Sequence, residues 1–332
     1  MSKSLCFFLA MAISLLATAQ ESAGDYVVTR DTPSWFKSSF LDFPEDISEA
    51  AAEGKQLMVY FGQDGCPYCK KLHDDNFHQA EIVSLLKEKF DSVAVNMFGD
   101  LDAVWIDGEE YIEKTLARRL NIQFTPTLLF LDDEGNEVLR IAGYQSPPRF
   151  LSALHYVLSD LTDGVSFADY WRQQAKQDEK VTALPDLAPP FSAPPYNLSS
   201  PSKMTAVLVT QSSCSICNEW QNFLSSDKAK QWHEAFAYVR LDLFGRDNTM
   251  SGDQTASQWV LDKQVAFVPA IIFLDESGTE QFRVDGYLRD FHLSSVLDYV
   301  ASGAYRREPE FQRFLQQRSD QLRQQGENVT IW

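Results

Sequence analysis

The stretch Gln56–Phe77, QLMVYFGQDGCPYCKKLHDDNF, decides the fold. Its apolar run predicts a buried strand, and Cys66-Pro67-Tyr68-Cys69 then begins a predicted helix. Pro67 suits the first helical position, because its φ is already helical and its missing N–H loses no partner there. Unpaired backbone N–H groups and the positive end of the helix dipole favour the thiolate form of Cys66. The stretch therefore predicts a strand–helix unit that begins with a redox-active cysteine pair.

The same arrangement occurs a second time. Cys214-Ser215-Ile216-Cys217 follows the apolar run Ala206–Thr210. Downstream of each pair, an X-Pro step opens another apolar run, Thr125-Pro126 in the first half and Val268-Pro269 in the second. A Cys-x-x-Cys pair alone is a weak signal, whereas the pair together with a strand-opening proline is fairly specific for a dithiol/disulfide centre.

An internal repeat explains why both features occur twice. Pro126–Val157 aligns with Pro269–Val300 over the full segment without a gap, and 13 residues are identical. Matches such as Gly135 with Gly278 and Gly143 with Gly286 go beyond a shared apolar pattern. The offset is 143 residues here and 148 at the cysteines, so whole domains are repeated.

Each unit shows the order strand, helix, strand, helix, hairpin, helix, which predicts the α/β class with a mixed central sheet covered on both faces. In the first unit we expect helices at Glu110–Leu120 and Pro148–Leu161. Six prolines between Val181 and Lys203 predict an extended, semi-rigid linker. The predicted organisation is a signal peptide at 1–19, domains at 33–162 and 204–305, a linker at 163–203 and a C-terminal helix within 306–332, solvated or docked.

The N-terminus predicts export. Lys3 precedes an apolar run from Leu5 to Ala17, which is shorter than the roughly 20 residues of a membrane span, and Ala17-Thr18-Ala19 offers a small-x-small cleavage site. Without this leader, four cysteines remain, all in the two pairs, so none is left for a disulfide framework. The net charge of −18 for the whole chain argues against nucleic acid and anionic lipid partners.

Both halves resemble thioredoxin-fold domains, over nearly all of residues 33–160 and 204–302. The segment Trp35–Phe77, WFKSSFLDFPEDISEAAAEGKQLMVYFGQDGCPYCKKLHDDNF, resembles exported thioredoxin-like proteins linked to bacterial sulfur oxidation and cytochrome maturation. The resemblance implies that Cys66 is an exposed attacking thiolate and that Cys69 resolves the mixed disulfide. Tyr68, between them, is expected to be partly exposed and to shape substrate contact.

The resemblance also implies roles for the X-Pro steps. Thr125-Pro126 is expected to be a cis bond packed against the sulfurs, with the Thr125 backbone pairing with an extended substrate segment. Val268-Pro269 is the corresponding step of the second unit. There Cys214 and Cys217 form either a second redox pair or a retained local disulfide in a binding or spacing domain.

Two departures from thioredoxins stand out. Thioredoxins carry Trp-Cys-Gly-Pro-Cys and a buried Asp six residues before the first cysteine. Here Gly65 precedes Cys66, and the strand position holds Tyr60 in the first unit and Leu208 in the second. The usual buried proton acceptor is therefore missing, which bears on the route of proton transfer and on the reduction potential.

The function expected from the sequence is a periplasmic thiol–disulfide oxidoreductase. We expect it to act mainly as a reductase on protein or small-sulfur disulfides, with a membrane thiol transporter as electron donor. The alternatives are an oxidase or isomerase, and a redox-inert binding scaffold. No phosphate loop or flavin fingerprint is visible, so no cofactor is expected. A four-cysteine zinc site is disfavoured because the pairs lie in equivalent places of separate domains, so we expect no metal.

Overall fold

The computed structural model describes residues 32–159, 162, 164–178, 188–211, 214–245, 250 and 254–329. The predicted signal peptide at 1–19 lies outside the described residues. Within the described part of the chain, no helix has the length and apolar character to cross a membrane.

The first domain is built around a four-stranded mixed sheet in the order β2 (Phe90–Asn96), β1 (Gln56–Gly62), β5 (Thr127–Leu131) and β6 (Glu137–Ala142). The central strand β1 is parallel to β2 and antiparallel to β5, and all but the first of its residues are buried. A run that is apolar on both faces fits this central position, since helices cover the sheet on both sides. The elements are α1 (Phe43–Ala52), β1 (Gln56–Gly62), α2 (Pro67–Asp75), α3 (Ala80–Lys89), β2 (Phe90–Asn96), β3 (Asp102–Val104), β4 (Glu110–Ile112), α4 (Glu113–Arg119), β5 (Thr127–Leu131), β6 (Glu137–Ala142) and α5 (Pro147–Val157).

The second domain repeats this topology, with the sheet order β10-β9-β7-β8. Strand β7 is parallel to β8 and antiparallel to β9, as β1 is to β2 and β5. The predicted α/β class with two similar domains is thus confirmed. After helix α6 (Phe167–Asp178), the elements are β7 (Thr205–Thr210), α7 (Ser215–Leu224), β8 (Ala237–Asp242), α8 (Ala256–Asp262), β9 (Ala270–Leu274), β10 (Glu280–Asp285), α9 (Asp290–Ala301) and α10 (Phe311–Gln324).

The predicted helix Glu110–Leu120 is wrong at its start. Residues Glu110–Ile112 form strand β4 and pair with β3, so the helix begins only at Glu113. Of the residues whose spacing predicted the helix, Leu116 lies within it, whereas Ile112 is its N-cap and Leu120 its C-cap. A short strand followed directly by a helix gives no break in such a pattern.

The predicted linker contains an element that the sequence pattern did not reveal. Helix α6 lies within the region assigned to the linker. Its Arg172 is buried and donates to the backbone carbonyls of Ser257 and Leu243 at 3.0 and 2.7 Å. On the same helix, the Phe167 ring lies 5.3 Å from that of Tyr156 and 5.2 Å from that of Phe267. The helix therefore packs against both domains.

The C-terminal helix α10 docks on the protein and is not a solvated element. Its Phe311 is fully buried, and the ring lies 5.3 Å from the Tyr299 ring of the second domain and 5.3 Å from the Phe124 ring of the first. Phe282 of β10 joins this cluster, 6.0 Å from Phe124. Gln123 of the first domain accepts the Phe311 N–H at 2.9 Å. Aromatic packing thus connects the two domains and the last helix.

We expect Phe311→Ala to lower the free energy of unfolding by about 3–5 kcal/mol, because the change opens a cavity among the aromatic rings that join the domains. Urea denaturation of the full chain measures this. Phe40→Ala is the matched control, since that phenylalanine is 95% exposed and surface changes stay within about 0.5 kcal/mol. Equal effects of the two changes would contradict the assignment of Phe311 to the interdomain core.

Candidate active sites

Each cysteine pair lies at the start of a helix and forms a disulfide bond. The Cα atoms of the two cysteines are 5.2 Å apart in both pairs. Cys66 is the N-cap of α2, and its sulfur accepts the Cys69 N–H at 3.0 Å. Cys214 caps α7 in the same way and accepts the Cys217 N–H at 3.1 Å. In both domains the first sulfur therefore has a backbone donor and the helix dipole to stabilise its thiolate form.

In the first domain, the residue before the strand-opening proline lies at the Cys66 sulfur, as the resemblance implies. Both Thr125–Pro126 and Val268–Pro269 are cis peptide bonds. In the first domain, the Thr125 carbonyl oxygen lies 3.5 Å from the Cys66 sulfur. The Thr125 hydroxyl donates to the same sulfur at 3.4 Å. The first site thus brings together Cys66, Cys69, Thr125 and Pro126.

The structure places an uncharged aromatic residue where thioredoxins have a buried acid. Tyr60 is buried on β1, and burial raises the pKa of its phenol well above the ordinary range. Its ring lies 5.7 Å from the half-buried His73 ring, which also packs on Phe77. Tyr60 therefore remains protonated throughout the neutral range and does not replace the missing carboxylate as a proton acceptor.

The expected exposure of Cys66 is wrong, because the second domain covers it. Cys66 is only 2% exposed. A cavity of about 20 Å³ adjoins it, bounded by Tyr68 and Thr125 of the first domain and by residues 284–288 and His292 of the second. Such a space holds about one water molecule. The sulfur is thus enclosed between the two domains and not within the core of one.

Tyr68 is also not the partly exposed residue that we expected. It is buried, and its hydroxyl accepts the Arg289 backbone N–H at 2.9 Å. The same hydroxyl lies 3.4 Å from Nδ1 of His292, with the two rings nearly perpendicular. The hydroxyl therefore contacts both a backbone group and a side chain of the second domain. Tyr68 therefore contacts the second domain where the resemblance implied a substrate.

The second site is covered from the first domain in a corresponding way. Val268 is buried, and its carbonyl oxygen accepts a hydrogen bond from the Arg149 guanidinium of α5. Arg149 also donates to the Gln211 side chain at 3.4 Å. Cys217 is fully buried, while Cys214 is half-buried. Of the second pair, Cys214 is thus the more exposed cysteine, and Arg149 binds the carbonyl that precedes the cis proline of the same domain.

Arg149, His292 and Arg289 are contact residues that sequence reasoning missed. Arg149 and His292 occupy the same position of the internal repeat, 143 residues apart. The repeat therefore held a signal, because both copies place a basic or aromatic nitrogen side chain at this position. It gave no reason to place either residue on the opposite domain. Among the described residues, no group of three or more His, Cys, Asp or Glu side chains is placed to hold a metal ion.

Comparison with known proteins gives the following matches. The sequence model of the thioredoxin-like domain family matches residues 43–158 and again residues 197–301. The thiol:disulfide interchange protein DsbD of Cronobacter sakazakii (strain ATCC BAA-894) is 30% identical over 112 residues. That match covers 33% of this chain and 18% of the relative, so the chain spans less than a fifth of the relative's length.

Two solved structures of single domains are also similar to this chain. A thioredoxin-fold protein from Helicobacter pylori is 21% identical, with a TM-score of 0.33, covering 41% of this chain and 92% of its own. A thioredoxin from Thermus thermophilus is 29% identical, with a TM-score of 0.29, covering 35% of this chain and 84% of its own.

The interdomain contact predicts a pH dependence of stability. Burial, with the nearby Arg289 charge, lowers the pKa of His292 from 6.5 to about 4. The unfolded chain therefore binds a proton between these values that the folded protein excludes, and stability falls as the pH falls. Above pH 6.5 His292 is neutral in both the folded and the unfolded state, and its full contribution to stability is present. As the pH falls from 6.5 towards 4, only the unfolded chain takes up the proton, and this contribution is lost.

Between pH 7 and pH 5, we expect the wild type to lose about 2 kcal/mol more than His292→Gln, which keeps an acceptor but has no titrating ring. Urea denaturation at each pH measures the difference, which removes the contributions of all other groups. His155→Leu, which removes an exposed histidine, is the matched control. Parallel curves for the wild type and His292→Gln would contradict a buried neutral imidazole.

Proposed function

This chain belongs to the thioredoxin-like domain family, and from that membership we propose that it is a thiol–disulfide oxidoreductase. We propose further that it is exported to the periplasm, acts mainly as a reductase on protein or small-sulfur disulfides, and receives electrons from a membrane thiol transporter. The name of the DsbD relative, a thiol:disulfide interchange protein, supports the reaction class. The N-terminal pattern supports export.

The single observation that carries the reaction is the set of donors around the Cys66 sulfur. The Cys69 N–H and the Thr125 hydroxyl both donate to this atom. Hydrogen bonds to the charged form of a group lower the pKa of an acid. In the reduced protein the same donors therefore favour a Cys66 thiolate, which is the form that attacks disulfides.

The proposed exchange has two steps. The Cys66 thiolate attacks one sulfur of the substrate disulfide, forms a mixed disulfide, and releases the other substrate sulfur as a thiolate that takes a proton. Cys69 then loses its proton, attacks Cys66, and releases the second substrate thiol. The substrate gains two electrons and two protons, and the protein ends with the Cys66–Cys69 disulfide present in the structure.

A substrate reaches Cys66 only when the domains separate at this face. The cavity beside the sulfur, about 20 Å³, has no room for a disulfide-containing group. An extended substrate segment would replace the contacts of Arg289 and His292 with Tyr68, and would pair with the Thr125 backbone. The segment of the second domain that now covers Cys66 therefore marks the surface that a client would occupy.

The alternative of an oxidase or isomerase differs in the direction of electron flow. A reduction potential of the Cys66–Cys69 pair near −120 to −180 mV would favour oxidation, and one below about −230 mV would favour reduction. Equilibration of the full chain with glutathione buffers, followed by alkylation and mass spectrometry, measures the potential of each pair. A potential in the higher range would overturn the proposed direction and keep the reaction class.

We expect Cys66→Ser to lower insulin disulfide reduction by the first site at least a hundredfold, because a serine hydroxyl is not ionised at neutral pH and forms no mixed disulfide. The assay compares this variant with Cys214→Ser, which leaves the first pair intact. Activity of Cys66→Ser equal to that of the wild type would remove Cys66 from the proposed mechanism.

We expect Cys69→Ala to accumulate mixed disulfides with client proteins at Cys66, because the resolving thiol is missing. Non-reducing gels and mass spectrometry of periplasmic extracts identify the trapped partners. The double variant Cys66→Ser/Cys69→Ala is the control and should trap none. Adducts with small thiols alone, without any protein, would show that the substrates are small-sulfur compounds and would remove protein clients from the proposal.

A further inference from the structure

We propose that Arg149 of the first domain is a positioning residue of the second site, where its guanidinium fixes the Val268 carbonyl and stabilises the Cys214 thiolate of the reduced pair. This inference rests on the proposed thiol–disulfide exchange and adds a residue to it from the opposite domain. The second site is thus complete only when the two domains are in contact.

The contacts of Arg149 link its guanidinium to the second cysteine pair through Gln211. One guanidinium nitrogen donates to the Val268 carbonyl, which precedes the cis proline, and the other to the Gln211 side chain. The backbone carbonyl of the same Gln211 accepts the Cys214 N–H at 3.1 Å. The guanidinium carbon lies 5.7 Å from the centre of the Trp171 ring of α6. Arg149 and Cys214 therefore share Gln211 as a hydrogen-bond partner.

The repeat allows the separation between the guanidinium and the sulfur to be judged. In the first domain, the carbonyl oxygen before the cis proline lies 3.5 Å from the Cys66 sulfur. From the repeat we infer the same relation between Val268 and Cys214, which puts a guanidinium nitrogen, one hydrogen bond beyond that carbonyl, about 6 Å from the sulfur. An opposite charge at about 4–6 Å lowers the pKa of an acid by about one to three units.

At the position of Thr125, the second site has a residue that cannot donate a hydrogen bond to the sulfur. In the first site, the Thr125 hydroxyl donates to the Cys66 sulfur. Val268 occupies the corresponding position in the second site and has no hydroxyl to donate. The second pair therefore lacks one of the two donors that favour the first thiolate. A guanidinium from the opposite domain supplies the missing stabilisation in a different form.

His292, the equivalent of Arg149 in the second domain, gives the first site a different charge from the one that Arg149 gives the second site. His292 occupies the repeat position of Arg149 and lies over the first pair. Burial lowers the pKa of His292 to about 4, so this ring is neutral at pH 7 and adds no positive charge near Cys66. The same position of the repeat thus gives the second site a permanent cation and the first site a neutral ring.

The test measures the pKa of the Cys214 thiol in the full chain. A Cys66→Ser/Cys69→Ser background leaves the second pair as the one Cys-x-x-Cys pair of the sequence, and this pair is reduced before the measurement. Iodoacetamide alkylation rates from pH 5 to pH 9, followed by mass spectrometry, give the thiolate fraction of Cys214. Denaturation midpoints establish that each variant is folded.

We expect Arg149→Gln, which keeps a donor for Val268 but loses the charge, to raise the pKa of Cys214 by at least one unit. Alkylation below that pKa should then slow about tenfold. Arg149→Lys, which keeps the charge, should restore most of the wild-type rate. Arg118→Gln is the matched control, because Arg118 is another first-domain guanidinium that pairs across the molecule, with Glu310.

Four results would overturn the proposal. One is an unchanged pKa of Cys214 in Arg149→Gln, another is an equal shift in Arg118→Gln, and the third is the same rate for the Lys and Gln variants. The fourth is faster alkylation in Arg149→Gln, which would show that Arg149 only shields the sulfur. The alkylation rate is measured without turnover. If the wild type did not reduce insulin, the proposed function would be contradicted, whereas the role of Arg149 would still be decided by the alkylation rates.

Discussion

The hydrogen bond from the Arg289 backbone N–H to the Tyr68 hydroxyl joins the two domains at the first cysteine pair. Because Tyr68 lies between the two cysteines, this contact holds the second domain directly over Cys66. The burial of that sulfur, the small cavity beside it and the lowered pKa of His292 all follow from this placement. If the domains separated here, Cys66 would lie at the exposed start of a helix, as in the arrangement expected from the sequence.

Duplication of one domain explains how the sites came to cover each other. Two copies that meet through the same face bring equivalent positions onto opposite active sites, as Arg149 and His292 show. The close approach of Gly143 and Gly286 belongs to the same contact: both have positive φ, and a Cβ on Gly286 would lie 3.4 Å from the Ala142 carbonyl oxygen. Equivalent positions then diverged, so that similar backbones surround sites of different charge.

Much of the fold was predictable from the sequence, because its signals are local. The apolar run of β1, the helix start at Cys66 and the repeat were enough for two α/β domains with a cysteine pair in each. The start of α4 and the existence of α6 were not, since β4 gives no break in the helical pattern and α6 is stabilised by partners such as Ser257 that are distant in sequence. The cover over Cys66 could not be predicted either. The surface residues of one domain form no local sequence pattern that identifies the domain against which they pack.

The contacts at the first site differ in kind from those that hold the domains together elsewhere. At Cys66 the Arg289 N–H of the second domain donates to the Tyr68 hydroxyl, and a neutral hydrogen bond contributes only about 1 kcal/mol net. A substrate backbone offers donors and acceptors of the same type, so exchange of one occupant for the other costs little. The cluster of Phe124, Phe282 and Phe311 is apolar, and separating it would expose aromatic surface to water. Opening at the cysteine face therefore breaks the hydrogen bond between Arg289 and Tyr68, while the aromatic cluster keeps the domains joined.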